Sequence, residues 1–294
     1  MNRVRKKRLK DNLVGWAFVL PSFLILLVFT LIPIVMSVYY SFTEYNVLEP
    51  AKWVGLSNYI RLFSDRVVVS SMKNTFFYTL LTVPLQTILS LVIGALIAER
   101  FQNTFGRACK GAMFVPVISS SVLVGTIWTM LFATDNGIIN GILGAVGIDK
   151  INWLGQRSTA LLCVCVVAVW KNVGYFLVIY FAGLMNVPQS YYEAAEVDGA
   201  TRLQRFFHIT LPCIKPITYL VVTLGIIWSF QVFDLVYSMT SGGPGNATST
   251  LVLTIYQKGF REYRMGYASA IAIVLFLFIL LVNRIQRMFF REKE

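Results

Sequence analysis

Uncharged, largely apolar runs recur along this chain and leave it few folds. Residues 12–43, 75–98, 112–133 and 265–282 contain no Asp, Glu, Lys or Arg, and about 20 helical residues at ~1.5 Å each cross a hydrocarbon core of ~30 Å. Of the 294 residues, 56% are hydrophobic and 14% charged, far from the balance of an ordinary soluble domain. The expectation is an all-α integral membrane protein embedded in a lipid bilayer.

The first ten residues hold Arg3, Arg5, Lys6, Lys7, Arg8 and Lys10. A signal peptide opens in the same way, but its apolar core is about 7–15 residues, so the run that follows reads as a retained first span. Pro21 and Pro33 fall near the ends of that span, where a helix tolerates them best. The chain then predicts spans at about 13–40, 75–98, 112–133, 160–185, 216–239 and 265–282. Pro84 is expected to kink the second, and Ser119–Ser121 to serve close helix packing in the third. Between spans, 44–73 carries a short amphipathic piece from Trp53 to Phe63, 135–157 is glycine-rich and ends in Asn152–Gly155, and 241–250 is a second glycine-rich loop. The last lacks the Lys and Ser/Thr pair of a phosphate-binding loop.

The net charge of +12 raises the question of a nucleic-acid partner. The basic residues flank the spans and form no single stripe, and about 16 of them fall on one side against about 9 on the other, the bias of cytoplasmic loops. Both termini are therefore expected in the cytoplasm, with no nucleic acid bound. The organisation is a basic N-terminus (1–12), one transmembrane domain (13–283) and a basic C-terminus (284–294). Cys109, Cys163, Cys165 and Cys213 lie in or beside apolar runs without ligand spacing, and His208 is the one histidine. No metal site or disulfide framework is expected.

One stretch breaks the apolar pattern. From Glu193 to Pro212 the chain reads EAAEVDGATRLQRFFHITLP. Ser190 and Glu193 have capping-box spacing at the start of a short helix. Gly199 can take positive φ and end it, Thr201 and Gln204 repeat the capping box for a second helix, and Pro212 limits that one. Two short helices at an angle, with Ala194 and Ala195 allowing close backbone approach, make a docking surface.

The spacing Glu193, Ala194, Ala195, Gly199, Ile209, Leu211, Pro212 resembles the cytoplasmic loop of permease subunits of binding-protein-dependent ABC importers. The resemblance covers nearly the whole chain, through Trp170–Leu184 (WKNVGYFLVIYFAGL) and Phe233–Pro244 (FDLVYSMTSGGP), and is to carbohydrate importers of the maltose and glycerol-phosphate type. It implies the six-helix type I importer fold in a bacterial cytoplasmic membrane and a loop 186–215 that meets an ATPase through Glu193, Ala194, Ala195, Asp198, Gly199, Arg202, Arg205, Leu211 and Pro212. It also implies a second, usually different, permease subunit, a cytoplasmic ATPase dimer and an extracytoplasmic substrate-binding protein. The maltose permease has further N-terminal spans and a large external domain that this sequence lacks, so maltose itself does not carry over.

No nucleophile stands with a base at motif spacing, and there is no Walker-type lysine. The chain is expected to be non-catalytic and to bind no cofactor, with ATP and magnesium used by the partner. The function expected is inward passage of a sugar or oligosaccharide. The alternatives are a non-sugar solute such as glycerol 3-phosphate and an ion-coupled secondary transporter, which would need broken helices in two related halves. A membrane scaffold would need no charges inside spans, yet Lys171 and Asp234 are there.

An ionisable group near the centre of a span costs at least ~2.5 kcal/mol by insertion scales and so faces a cavity or a partner. At ~1.5 Å per residue Lys171 and Asp234 lie about 25–27 Å from the cytoplasmic ends of their helices, at similar depth. They could equally snorkel outward or pair as a structural bridge. Asn172 and Tyr175 lie near the first; Trp228, Ser229 and Val232, near the second, have spacings that share a helix face. The resemblance places Asn172, Tyr175, Trp228, Ser229 and Val232 at sugar-contacting positions of the maltose-type permease. Tyr175 keeps the family's residue type, whereas Lys171, Asn172 and Val232 do not. Aromatic faces with amide and hydroxyl groups suit a sugar ring.

Overall fold

A computed structural model describes residues 2–101 and 103–290, most of them in helices. Arg291 and Lys293 of the basic C-terminus lie outside the described residues. The chain divides into two compact units: one runs up to Arg61 and takes in Gln257–Ile273, and the other holds Leu62–Tyr256 and the chain from Val274.

In the first unit, α1 (Asn2–Leu26), a π turn (Leu27–Leu31) and α2 (Ile32–Ser41) form one helical run. Because α1 already begins at Asn2, Pro21 falls inside it and not near an end as expected. Pro33 follows the π turn closely, so it too lies inside the helical run and not at its end. None of the most apolar part of Val14–Ser41 is buried within the chain. A two-residue hairpin, β1 (Thr43–Glu44) with β2 (Lys52–Trp53), follows, and then the amphipathic α3 (Ser57–Ser64). Asn58 Nδ2 donates to the carbonyls of Ser41 (3.0 Å) and Thr43 (2.9 Å), tying α3 to the end of α2.

The second unit is built on α4 (Arg66–Arg100). It begins well before the expected span because Asp65 accepts from the Val67 N–H at 2.9 Å, an N-cap inside a stretch read as external. The helix continues unbroken through Pro84. One face carries a buried line of small and polar residues, Ser71, Thr75, Thr79, Thr82, Gln86, Ser90 and Gly94, at the three- and four-residue spacing of a single helix face. Ser71, Thr75, Thr82 and Ser90 each donate to the carbonyl four residues back, so the seam packs closely without leaving these hydroxyls unmet.

The third span is where the structure departs most from expectation. It consists of α5 (Thr104–Ile118) and α6 (Ser121–Leu131), which meet at 98°. Ser119 and Ser120 are extended (ψ 143° and 133°), so the serine run breaks the helix instead of packing it. After α7 (Ile138–Ala145), α8 (Ala160–Met185) matches the expected fourth span end for end and is the most deeply buried helix of the unit.

The loop 186–215 holds α9 (Gln189–Val197), α10 (Arg202–Arg205), a π turn (Phe206–Thr210) and α11 (Leu211–Cys213). The chain then bends by 68° into α12 (Lys215–Phe230). The fifth span is therefore not one helix to 239. It stops at Phe230, and α13 (Asp234–Met239) starts after three residues of irregular chain. The loop 241–250 leads to α14 (Leu251–Tyr256) and a π turn (Gln257–Arg261), neither expected from the sequence, and α15 (Met265–Phe290) ends the described chain. Among the described residues four helices are long and apolar enough to cross a membrane, Val14–Ser41, Arg66–Arg100, Ala160–Met185 and Met265–Met288, or six when each bent pair counts as one span.

Candidate functional site

Two of the helix breaks, at Ser119–Ser120 and Gln231–Phe233, border one cavity. A space of about 290 Å³ is lined by Lys171, Asn172, Trp228, Ser229, Val232 and Asp234, together with Tyr78, Ser121, Ala168, Gln231, Phe233 and Leu235. Irregular backbone at membrane depth is tolerated where it is buried in protein or lines a cavity. Ser121, just past the first break, and Gln231–Phe233, which make up the second, both meet that condition.

Lys171 closes one of the breaks. Its Nζ donates at 3.2 Å to the carbonyl of Val117, in the last turn of α5, where carbonyls lack an intrahelical partner and the helix dipole favours a cation. Ser119 Oγ donates to the Val115 carbonyl at 3.0 Å in the same turn. Lys171 therefore spends a donor on this carbonyl and forms no ion pair with Asp234 among the described residues. Asp234 opens α13, at the helix end that suits an anion, and its side chain is exposed to the cavity. Because α12 ends at Phe230, the depth worked out for Asp234 along a straight helix does not apply, and Val232 shares no helix face with Trp228. It reaches the cavity through the break, whose Val232 carbonyl accepts from Thr250 Oγ1 at 3.0 Å.

Tyr175 does not line the space. Its ring packs against that of Trp228, 4.8 Å between centroids and tilted by 50°, with Phe176 on Trp228 as well at 5.5 Å. Tyr175 thus sets the indole, and the indole faces the cavity. Ser229 is buried and its hydroxyl lies 3.1 Å from that of Thr82 on α4. Gly174, between Asn172 and Tyr175, brings α8 against α5: a Cβ there would collide with the carbonyl oxygen of Met113 and lie 2.6 Å from its carbonyl carbon. Tyr78, Gln231 and Phe233 were not among the expected site residues. Tyr78 is a polar group inside a span, the same signal that singled out Lys171, whereas Gln231 and Phe233 enter only because α12 ends early.

The loop 186–215 holds the other expected set. Gly199 has φ +77° and stops α9 as expected. Thr201 and Gln204 form the capping box: the Thr201 N–H donates to Gln204 Oε1 at 2.8 Å, and the Gln204 N–H donates to Thr201 Oγ1 at 3.4 Å. The box at Ser190 is absent, because α9 begins two residues earlier than such a box requires, directly after Pro188, and has no side-chain cap. Pro212 does not end its helix, since it lies in the first turn of α11, which runs to Cys213. Glu193, Ala194, Asp198 and Pro212 are exposed, while Ala195 and Leu211 are half-buried. Tyr191, Val197, Leu203 and Phe207 add exposed apolar surface. Arg202 and Arg205 are already engaged within the chain, Arg202 Nε with Glu99 at 3.4 Å and Arg205 Nη1 with Glu196 at 3.2 Å. Tyr192 OH and Thr210 Oγ1 lie 3.0 Å apart and tie α9 to the π turn.

A family model described as the binding-protein-dependent transport system inner membrane component matches residues 69–293. A probable ABC transporter permease protein of Bacillus subtilis is 38% identical over 281 residues, 94% of this chain and 90% of that one. An arabinooligosaccharides transport system permease protein of the same organism is 35% identical, covering 92% of this chain and 86% of its own. A trehalose/maltose transport system permease protein of Thermococcus litoralis is 32% identical, covering 95% and 94%. In fold, the chain is similar to a chain of a bacterial ABC transporter involved in the import of the acidic polysaccharide alginate, with a TM-score of 0.83 at 24% identity over 97% of this chain and 99% of that one. With its family match over most of its length and relatives aligned nearly end to end, this chain belongs to the inner membrane components of binding-protein-dependent ABC transport systems.

Proposed function

We propose that this chain is the permease subunit of a carbohydrate importer, passing a sugar or oligosaccharide inward while a partner subunit hydrolyses ATP with magnesium. The observation that carries the reading is the cavity at the two helix breaks, where an indole face, an amide, a hydroxyl and two opposite charges converge. A sugar ring has an apolar face for Trp228, backed by Tyr175, and a polar rim for Asn172, Ser229 and Asp234. The names of the similar permeases, for arabinooligosaccharides, trehalose/maltose and sulfoquinovosyl glycerol, support a carbohydrate cargo.

In this reading residues 13–283 form one transmembrane domain of six spans, two of them bent, and both termini lie in the cytoplasm of a bacterium. Glu193, Ala194, Ala195, Asp198 and Gly199, with Leu211 and Pro212 behind them, present the loop to an ATPase dimer. Arg202 and Arg205 act by holding that loop in shape. A second permease completes the pathway, and an extracytoplasmic binding protein delivers the cargo. The chain itself performs no chemistry, and transport follows from switching between two arrangements driven from outside. A second reading, an anionic solute such as glycerol 3-phosphate, draws on Lys171 in the cavity wall.

The test is uptake by Tyr175→Ala, Asn172→Ala and Trp228→Ala in assembled complexes that still hydrolyse ATP. Loss of uptake, or a changed preference among sugars, is the expected result. Wild-type uptake with unchanged selectivity in all three removes this site, and loss confined to anionic cargo favours the second reading.

A further inference from the structure

The coupling loop is held not only by its own short helices but by the end of α4. Arg202, in the first turn after the capping box, reaches Glu99 in the last turn of α4, Nε to Oε1 at 3.4 Å. Arg205 is meanwhile taken by Glu196 at 3.2 Å, so each of these two arginines has its own carboxylate. Glu99, Arg202 and Arg205 border a cavity of about 370 Å³ between the loop and the ends of α4 and α8. The Arg202–Glu99 side chains are 65% and 53% exposed, and an ion pair that open to water contributes little to folding stability. Its place in the fold is more telling than its strength.

The same helix reaches the candidate transport site. α4 is continuous from Arg66 to Arg100, and at ~1.5 Å per residue about 30 Å separate Glu99 from Tyr78 in the cavity wall. Between these points Thr82 meets Ser229 at 3.1 Å, and Gly94 packs on Tyr180 of α8, a Cβ there lying 3.5 Å from the tyrosine Cβ. A continuous, well-packed helix with the loop at one end and the cavity at the other can transmit displacement when the loop is fastened to it.

We propose that Glu99 is a positioning residue for transport, clasping the coupling loop to α4 through Arg202 so that loop and cavity wall move together. This rests on reading 186–215 as the ATPase-docking loop. The test uses the full complex with its ATPase. Glu99→Arg and Arg202→Glu, made singly, are expected to lower ATP hydrolysis about five-fold with the ATPase still copurifying and the thermal midpoint unchanged. The double exchange Glu99→Arg/Arg202→Glu is expected to return hydrolysis to within about two-fold of the wild type. A merely structural role would move the thermal midpoint and give no rescue. Wild-type hydrolysis in both single variants, or losses that add in the double, overturns the clasp alone. Failure of the wild-type chain to copurify with an ATPase overturns the docking reading and the clasp with it.

Discussion

Gly174 is the position where one methyl group tests the architecture of the site. A Cβ at Gly174 would lie 2.6 Å from the carbonyl carbon of Met113 and 3.2 Å from the amide nitrogen of Phe114, whereas ordinary contact begins at 3.4 Å. Going from 2.6 to 3.4 Å requires α5 to withdraw by at least 0.8 Å at that carbon, and the colliding atoms are backbone, which cannot swing aside. The Lys171–Val117 bond, at 3.2 Å, lies about one turn further along both helices and would be stretched beyond hydrogen-bond length by the same movement. Overpacking costs about 1–3 kcal/mol, and a bond from a charged donor is worth about 1.5–3 kcal/mol. Gly174→Ala should therefore destabilise by roughly 2.5–6 kcal/mol if both terms are felt in full. Two matched variants calibrate the measurement: Gly94→Ala, whose Cβ would make an ordinary contact at 3.5 Å, and Gly111→Ala, which would meet nothing within 4 Å. Thermal unfolding of the assembled complex in nanodiscs, with uptake measured in parallel, should rank Gly174→Ala far below the other two in both. If Gly174→Ala melts with Gly94→Ala and transports normally, α5 and α8 do not hold the cavity as argued.

Gly199→Asp places a β-carbon at φ +77° in open space, so its cost of about 1–2 kcal/mol is backbone strain alone. The protein should insert and assemble yet lose stimulated ATP hydrolysis, and normal stimulation would remove the coupling role of the loop. Asn140 joins the chain on both sides of it, donating to the carbonyls of Thr134 and Ile151 and accepting from the Ile151 N–H and Trp153 Nε1. Asn140→Leu leaves these part-buried groups unmet, at up to about 1–3 kcal/mol each, so a lowered thermal midpoint is expected, and an unchanged one refutes the network. Single cysteines at Asn58, Asn246 and Gln204 should label from outside, outside and inside respectively; labelling of Gln204 from outside in intact cells would sink the proposed topology.

The sequence by itself determined that this chain is helical and lies in a membrane, because uncharged runs of span length admit little else. It placed α8 to the residue, since a stretch with one charge and no proline has no reason to end early. Local chemistry was legible too: Thr201–Gln204 capped its helix, and Gly199 took positive φ, as contacts within a few residues dictate. What the tertiary structure decided was where spans break. Ser119–Ser120 and Gln231–Phe233 sit in runs whose composition favours continuous helix. A backbone group released there is tolerable only because something distant in sequence meets it, Lys171 at Val117 and Thr250 at Val232. For that reason six of the seven residues singled out in the sequence line one cavity, while their geometry was not legible. Lys171 serves a helix end, Tyr175 stands behind Trp228, and Val232 arrives by an irregular turn, each fixed by a partner that no local pattern could name.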